Sequence, residues 1–213
     1  MMKDIIGVYL AAGESRRMGC NKLKLPLGKG TLGSAALRAL LHSQIDRSLI
    51  VVKSGDDLSW IAPDLLQQPR REKWELLECH DSRKGMSSSL KCAVAAAEQR
   101  GAQAIMVLLA DQPGVSVQML DELLLQLRLY PQDAITPRFY AYTFEGLPRP
   151  PVLIRREAFS RIYRLEGDEG ARKLIRASAP HEARFIESTE VKHFVDIDTY
   201  EEYAVYKDED GTD

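Results

Sequence analysis

Short apolar runs alternate with amphipathic segments along the first 130 residues of this chain. The runs "IIGVYLA" (5 to 11), "LIVV" (49 to 52), "WELLEC" (74 to 79) and "AIMVLLA" (104 to 110) read as strands buried between covering layers. After them, Leu37, Leu40 and Leu41 form one stripe at helical spacing. Met86, Leu90, Ala93, Val94 and Ala97 form a second, and Met119, Leu120, Leu123, Leu124 and Leu127 a third. The β-α-β-α order predicts an α/β fold, a Rossmann-like three-layer arrangement with a mostly parallel central sheet. From Pro131 to about Pro151 the pattern breaks into proline- and aromatic-rich pieces, "PRFYAYTFEGLPRPP" among them, which predict a hairpin or flap making an excursion from the core. Helices are expected near 156 to 164 and 169 to 178, and a last strand pair near 183 to 197. Residues 1 to 206 are expected to form one domain, with 207 to 213, "KDEDGTD", a frayed acidic tail.

Composition narrows the function. A chain of 213 residues is long enough for one α/β domain with a sizeable core. Its 29 Lys and Arg against 31 Asp and Glu are scattered rather than gathered on one face, which speaks against a nucleic-acid partner. Cys20, Cys79 and Cys92 lack a C-x-x-C spacing and follow no secretory signal, so reduced thiols and a cytoplasmic location are expected. No apolar stretch approaches the roughly 20 residues that span a bilayer, so no membrane association is expected. His42, His80, His181 and His193 show no metal-ligand spacing.

In a parallel sheet, ligands collect outside the carboxyl ends of the strands, so the loop after the first run is the first place to look for chemistry. In "GVYLAAGESRRMGCNK" (7 to 22), Gly13 and Gly19 allow turns and close approach, free N–H groups can face an anion, and Arg17 and Lys22 add full charges. These are the parts of a polyphosphate site. Neither G-x-G-x-x-G nor a P-loop motif is present, and glycine beside charge is also common in plain surface turns.

The string Leu10, Ala11, Ala12, Gly13, Ser15, Arg17, Met18, Gly19 and Lys22 resembles the signature loop of the MobA/MocA-like nucleotidyltransferases of the molybdenum-cofactor group. Three further stretches follow in that family's order: "GMSSSL" (85 to 90), "LADQP" (109 to 113), and "GDEGAR" (167 to 172) followed by "VDIDT" (195 to 199). The Leu-Ala-Ala-Gly form, with Ala12 where guanylyltransferases carry glycine, resembles the branch that transfers CMP from CTP to molybdopterin. Accessory proteins of xanthine dehydrogenase-type enzymes belong to that branch. The resemblance implies the three-layer nucleotidyltransferase fold and a Mg2+-dependent enzyme that releases pyrophosphate, with a molybdenum hydroxylase apoenzyme as a further partner.

It also implies residue roles. Arg17, Lys22 and Asp111 would be catalytic, since an acceptor phosphate is already ionised and the need is for positioning and charge neutralisation. Leu10, Ala11, Ala12, Gly13, Ser15, Gly19, Gly85, Ser87 and Ser88 would join Arg17 and Lys22 around the nucleotide. Asp111 and Asp198 would hold the metal, with Asp196 close by, because Mg2+ favours one or two carboxylates plus phosphate and water. Asp168 and Arg172 would lie toward the acceptor. Other readings stand beside these. Asp198 with Glu201 also fits an N-cap and capping box for the helix "TYEEYAVY", and Ser87 or Ser88 fits an N-cap. By sequence alone the cap is the stronger reading of Asp198, and the resemblance reverses that order.

The chain departs from the branch at two places. Where the family reads Arg-Gly-His-Pro-Val-Leu-Phe, this chain has Pro148, Arg149, Pro150, Pro151, Val152, Leu153 and Ile154; Lys24 stands where leucine is common. The altered segment bears on the acceptor. It keeps two alternatives in view: a non-catalytic protein that binds and delivers the molybdenum cofactor, and a nucleotidyltransferase for another phosphate acceptor such as a sugar phosphate.

Overall fold

The computed structural model describes residues 5–130 and 137–210, the last two by backbone alone. Strand β1 (Ile5–Leu10) is followed by a small two-stranded element, β2 (Pro26–Leu27) and β3 (Gly30–Thr31), and helix α1 (Leu32–His42). Then come β4 (Arg47–Lys53), β5 (Trp74–Cys79), α2 (Met86–Gln99), β6 (Ala104–Leu109) and α3 (Val117–Leu129). The remainder contains β7 (Phe139–Phe144), β8 (Leu147–Arg155), α4 (Phe159–Ile162), α5 (Ala171–Arg176), β9 (Ala183–Glu187) and α6 (Tyr200–Asp210).

Among the described residues, seven strands form one sheet in the order β5-β4-β1-β6-β8-β7-β9. β8 alone runs against its neighbours, antiparallel to both β6 and β7, so the sheet is mostly parallel as the alternating pattern predicts. Side chains alternate across each strand. Tyr9, Ile50 and Met106 face α1 and α3 through Leu37, Leu40, Leu120 and Leu124. Val8, Val51 and Val107 face α2, α4 and α5 through Leu90, Val94, Phe159 and Ile175. Two cores, one on each side of the sheet, make the three layers.

Three expectations change. The proline-rich piece is no excursion: β7 and β8 are a hairpin that belongs to the main sheet, and Val152 to Arg155 pair directly with β6. The first residues of that piece, 131–136, lie outside the described residues. The expected last strand pair is one strand, β9, which extends the sheet beside β7; residues 191–194 form a short 3-10 turn leading into α6. The stretch 207–210 of the acidic tail continues α6, because Tyr203 and Tyr206 pack that helix against Leu27, Leu32 and Ile197. Residues 211–213 lie outside the described residues.

Candidate active site

The carboxyl ends of β1 and β6 lie side by side, paired from Ile5↔Ala104 through Leu10↔Leu109, so the loops leaving them face each other. The first loop is set by local bonds. Ala11 N–H donates to Val51 O at 2.8 Å and so stays in register with the sheet. The Ser15 hydroxyl accepts from Lys22 N at 3.2 Å, and the Asn21 side chain caps the following 3-10 turn through Leu23 N at 3.1 Å. The loop is thereby drawn into a tight bend with Lys22 turned inward.

Lys22 is 7% exposed. Its ammonium donates to Asp111 Oδ2 at 2.8 Å and to Asp198 Oδ1 at 2.8 Å, while Arg17 donates to Asp198 Oδ2 at 2.8 Å. Burial alone would lower the Lys22 pKa, but the charges and hydrogen bonds of the two aspartates outweigh it and hold the ammonium above the ordinary lysine value. The Lys22 hydrogen bond in turn holds the Asp198 carboxyl below its ordinary value.

Two backbone contacts bring Asp198 here from the far end of the chain. Ile197 N–H donates to Asp111 O at 3.0 Å. A Cβ on Gly114 would stand 2.0 Å from Lys192 O, so the segment 191–198 can lie against the loop after β6 only because residue 114 is glycine. Gln112, fully buried, adds a bond from Nε2 to Asp196 Oδ1 at 2.7 Å, while its Oε1 has no partner. Burial, reinforced by the nearby Asp111 charge, raises the Asp196 pKa.

Asp198 is not the cap of α6. Thr199 takes that place: its Oγ1 accepts from Glu202 N at 3.2 Å, and the Glu202 carboxylate accepts from Thr199 N at 2.8 Å and Asp198 N at 2.7 Å. The capping box lies one residue later than the Asp198–Glu201 spacing suggests, which leaves the Asp198 carboxylate to face Lys22 and Arg17.

A cleft of about 380 Å³ opens over this cluster, lined by Leu10 to Arg17, Lys22, Leu23, Ser82 to Met86, Ser89, Leu109 to Asp111, Asp168 and Asp198. Of the residues named from the sequence, it brings together Leu10, Ala11, Ala12, Gly13, Ser15, Arg17, Lys22, Gly85, Asp111 and Asp198, and with them Asp168, named there for the acceptor. Gly19 forms a turn with φ +65° away from the lining. Ser87 and Ser88 do not line the cleft: Ser87 N donates to Gly167 O at 3.0 Å, and Ser89 is the serine that reaches it. Neither Ser87 nor Ser88 caps α2, whose N-cap is Gly85 with φ +108°. At Gly85 a Cβ would fall 2.3 Å from the Gly167 carbonyl, so the start of α2 and the turn at 167–168 are closely apposed. Sequence reasoning missed Glu14, Arg16, Arg83 and Lys84, although a basic pair directly before "GMSSSL" was a readable signal. Glu14 bridges the two loops, 2.5 Å from Arg16 and 3.4 Å from Arg83.

A second cavity of about 460 Å³ adjoins the first and shares Leu10, Met86, Leu109 and Asp168 with it. Leu90, Val107 and Val152 add apolar surface, and Arg172, Lys173 and Arg176 line it from α5. Arg172 thus lies in this cavity and not in the first. Pro150, from the segment that departs from the family pattern, is part of its wall.

Among the described residues, no group of three or more His, Cys, Asp or Glu is placed to hold a metal. The pair Asp111 and Asp198, which already share one cation in Lys22, offers the two-carboxylate donor set that Mg2+ or Mn2+ takes when phosphate oxygens complete its shell. Among the described residues no helix is long and apolar enough to cross a membrane.

Residues 7–183 match the profile of the family described as "MobA-like NTP transferase domain". The chain is 38% identical over 205 residues to the purine catabolism protein PucB of Bacillus subtilis (strain 168), covering 95% of this chain and 96% of that one. It is 29% identical over 209 residues to nicotine blue oxidoreductase of Paenarthrobacter nicotinovorans, covering 93% and 94%. In three dimensions it superimposes on Rv0371c of Mycobacterium tuberculosis H37Rv, solved in complex with manganese, with a TM-score of 0.72 and 22% identity, covering 96% and 98%.

Proposed function

Because this chain belongs to the MobA-like NTP transferase family and is a nucleotidyltransferase, we propose that it transfers CMP from CTP to the terminal phosphate of molybdopterin, releasing pyrophosphate. The product would serve the maturation of a xanthine dehydrogenase-type enzyme. The observation that carries this reading is the cluster of Arg17, Lys22, Asp111 and Asp198, joined through Asp168 to a second cavity. The first cleft suits a triphosphate, with Arg16, Arg17, Lys22, Arg83 and Lys84 around it. The second, with its aliphatic wall and the cations of α5, suits a flat heterocycle carrying a phosphate better than a polyol phosphate.

An oxygen of the acceptor phosphate attacks the α-phosphorus, and the bond to pyrophosphate breaks. No general base is required. Arg17 and Lys22 would grip the triphosphate and offset the charge that gathers on the phosphoryl oxygens. Asp111 and Asp198 would hold Mg2+, whose chemistry is to neutralise the phosphates and the leaving pyrophosphate. Gly85 keeps the 167–168 turn close to the cleft, so that Asp168 stands where the two substrates would meet.

The name of the Bacillus relative, a purine catabolism protein, agrees with a xanthine-oxidising client. The Paenarthrobacter relative carries the name of an oxidoreductase, so a redox reaction is the reading to test beside it. Incubation with each nucleoside triphosphate, Mg2+ and purified molybdopterin should release pyrophosphate most rapidly with CTP. Turnover of a sugar phosphate instead would change the acceptor. Release with none of them, together with oxidation of a reduced nicotinamide, would replace the reading with the redox one.

A further inference from the structure

Lys22 fills the seat in which a metal would be held. Of the four oxygens on Asp111 and Asp198, three accept from a protein cation: Asp111 Oδ2 and Asp198 Oδ1 from Lys22, and Asp198 Oδ2 from Arg17. A divalent cation ligated by both carboxylates would stand between them, where the ammonium already sits. It cannot take that seat while the ammonium stays at 2.8 Å from each, because two cations that close repel.

The charges make the conflict specific. Lys22 and Arg17 bring two positive charges and the aspartates two negative, so the free cluster is neutral by formal count. A metal ion alone would expel a buried ammonium from both partners and leave it without a counter-charge. A triphosphate alone would be drawn to Lys22 and Arg17 but would meet two carboxylates. Entering together, each supplies what the other removes. The Lys22 backbone stays fixed by Ser15 and by the cap at Asn21, so only its four-carbon stem has to swing, and it swings within the cleft that it lines.

We propose that Lys22 is a tethered cation that guards the metal seat: its ammonium occupies the position between Asp111 and Asp198 in the free protein and moves to the nucleotide phosphates when a divalent cation arrives. Metal and nucleotide then load as one mutually dependent event. This rests on the reading of Asp111 and Asp198 as the carboxylates that hold the cation.

The test uses Mn2+ as the probe, with its free concentration read by electron paramagnetic resonance in the absence of nucleotide. Lys22→Met should bind Mn2+ at least ~10-fold more tightly than wild type, since a competing charge is removed from a partly buried pair of carboxylates. The double variant Lys22→Met/Asp198→Asn should lose that gain. In the wild-type protein, acetic anhydride labelling read by mass spectrometry should find Lys22 protected. It should become reactive with saturating Mn2+ alone and be protected again with Mn2+ and CTP. If Lys22→Met binds Mn2+ no more tightly than wild type, while both bind it with CTP, the guard is overturned and metal-assisted transfer survives. If no protein binds Mn2+ with or without CTP, the metal reading falls and the guard with it. If Lys22→Met does not fold, the labelling decides, and a Lys22 that stays unreactive while Mn2+ is bound overturns the proposal.

Discussion

At Asp198 one carboxylate faces two cations, and its neighbour Thr199 does the capping; the two roles can therefore be separated by mutation. Asp198→Asn keeps the shape but removes the charge, so pyrophosphate release should nearly vanish and the Mg2+ requirement should rise, with little change in the melting curve. Thr199→Ala should do the reverse, lowering stability by about 1 kcal/mol through loss of the cap while turnover per folded molecule is largely kept. Arg17, whose side chain is 72% exposed, contributes little to the fold, so Arg17→Ala should lower turnover by roughly 100-fold with an unchanged melting temperature. Asp196 gives the pH prediction. Its pKa is raised by burial and by Asp111, so ionising it costs stability above the ordinary carboxylate range, and the cost disappears as pH falls below that range. Asp196→Asn removes the charge and can donate to the unpartnered Gln112 Oε1. It should therefore stabilise the protein by about 1 kcal/mol at pH 7, and melting curves should show this gain shrinking toward pH 4. These residues were only partly readable in advance. "LADQP" and "VDIDT" point to the two carboxylates that the fold brings together on Lys22, but a capping box and a charge cluster one residue apart look alike until the helix start is fixed.

Among the elements, the buried parallel strands were legible because a strand covered on both faces carries a continuous apolar run, as β1, the middle of β4 and β6 do; β5, also expected to be buried, is an edge strand with Glu75, Leu76 and Glu78 exposed. The β7–β8 hairpin was not. Pro148, Pro150 and Pro151 look like breakers, yet β8 pairs with β6 only from Val152 to Arg155, so the prolines lie beyond the stretch that needs donors on that side. The segment 191–198 carried no periodic signal because backbone contacts hold it against the loop after β6, not a face of alternating side chains. Its seating depends on Gly114. Gly114→Ala would drive a Cβ into Lys192 O, so the strap must lift and Asp198 must move away from Asp111. The expected outcome is a folded protein, by circular dichroism, with weakened Mn2+ binding and little transfer; full activity would show that the strap has slack.

Across the whole molecule, the two cavities differ in what borders them. The first is framed by loops after β1, β5 and β6, and Ala12, 6% exposed, sits in its wall. A methyl group there should crowd a purine more than a pyrimidine, giving CTP a preference over GTP of about 1–3 kcal/mol in kcat/KM, and Ala12→Gly should narrow the gap. The second is bordered by α5 and the proline-bearing end of β8, and neither Lys22 nor Asp111 lines it. Because the cavities meet along Leu10, Met86, Leu109 and Asp168, one compound could occupy both. A cytidine nucleotide tethered through its phosphate to an aromatic ring would place its second half at high effective concentration once the first had docked. Such a bisubstrate inhibitor should exceed the affinity of either half by far more than their separate contacts suggest, and its selectivity among related enzymes would be set at the aromatic end.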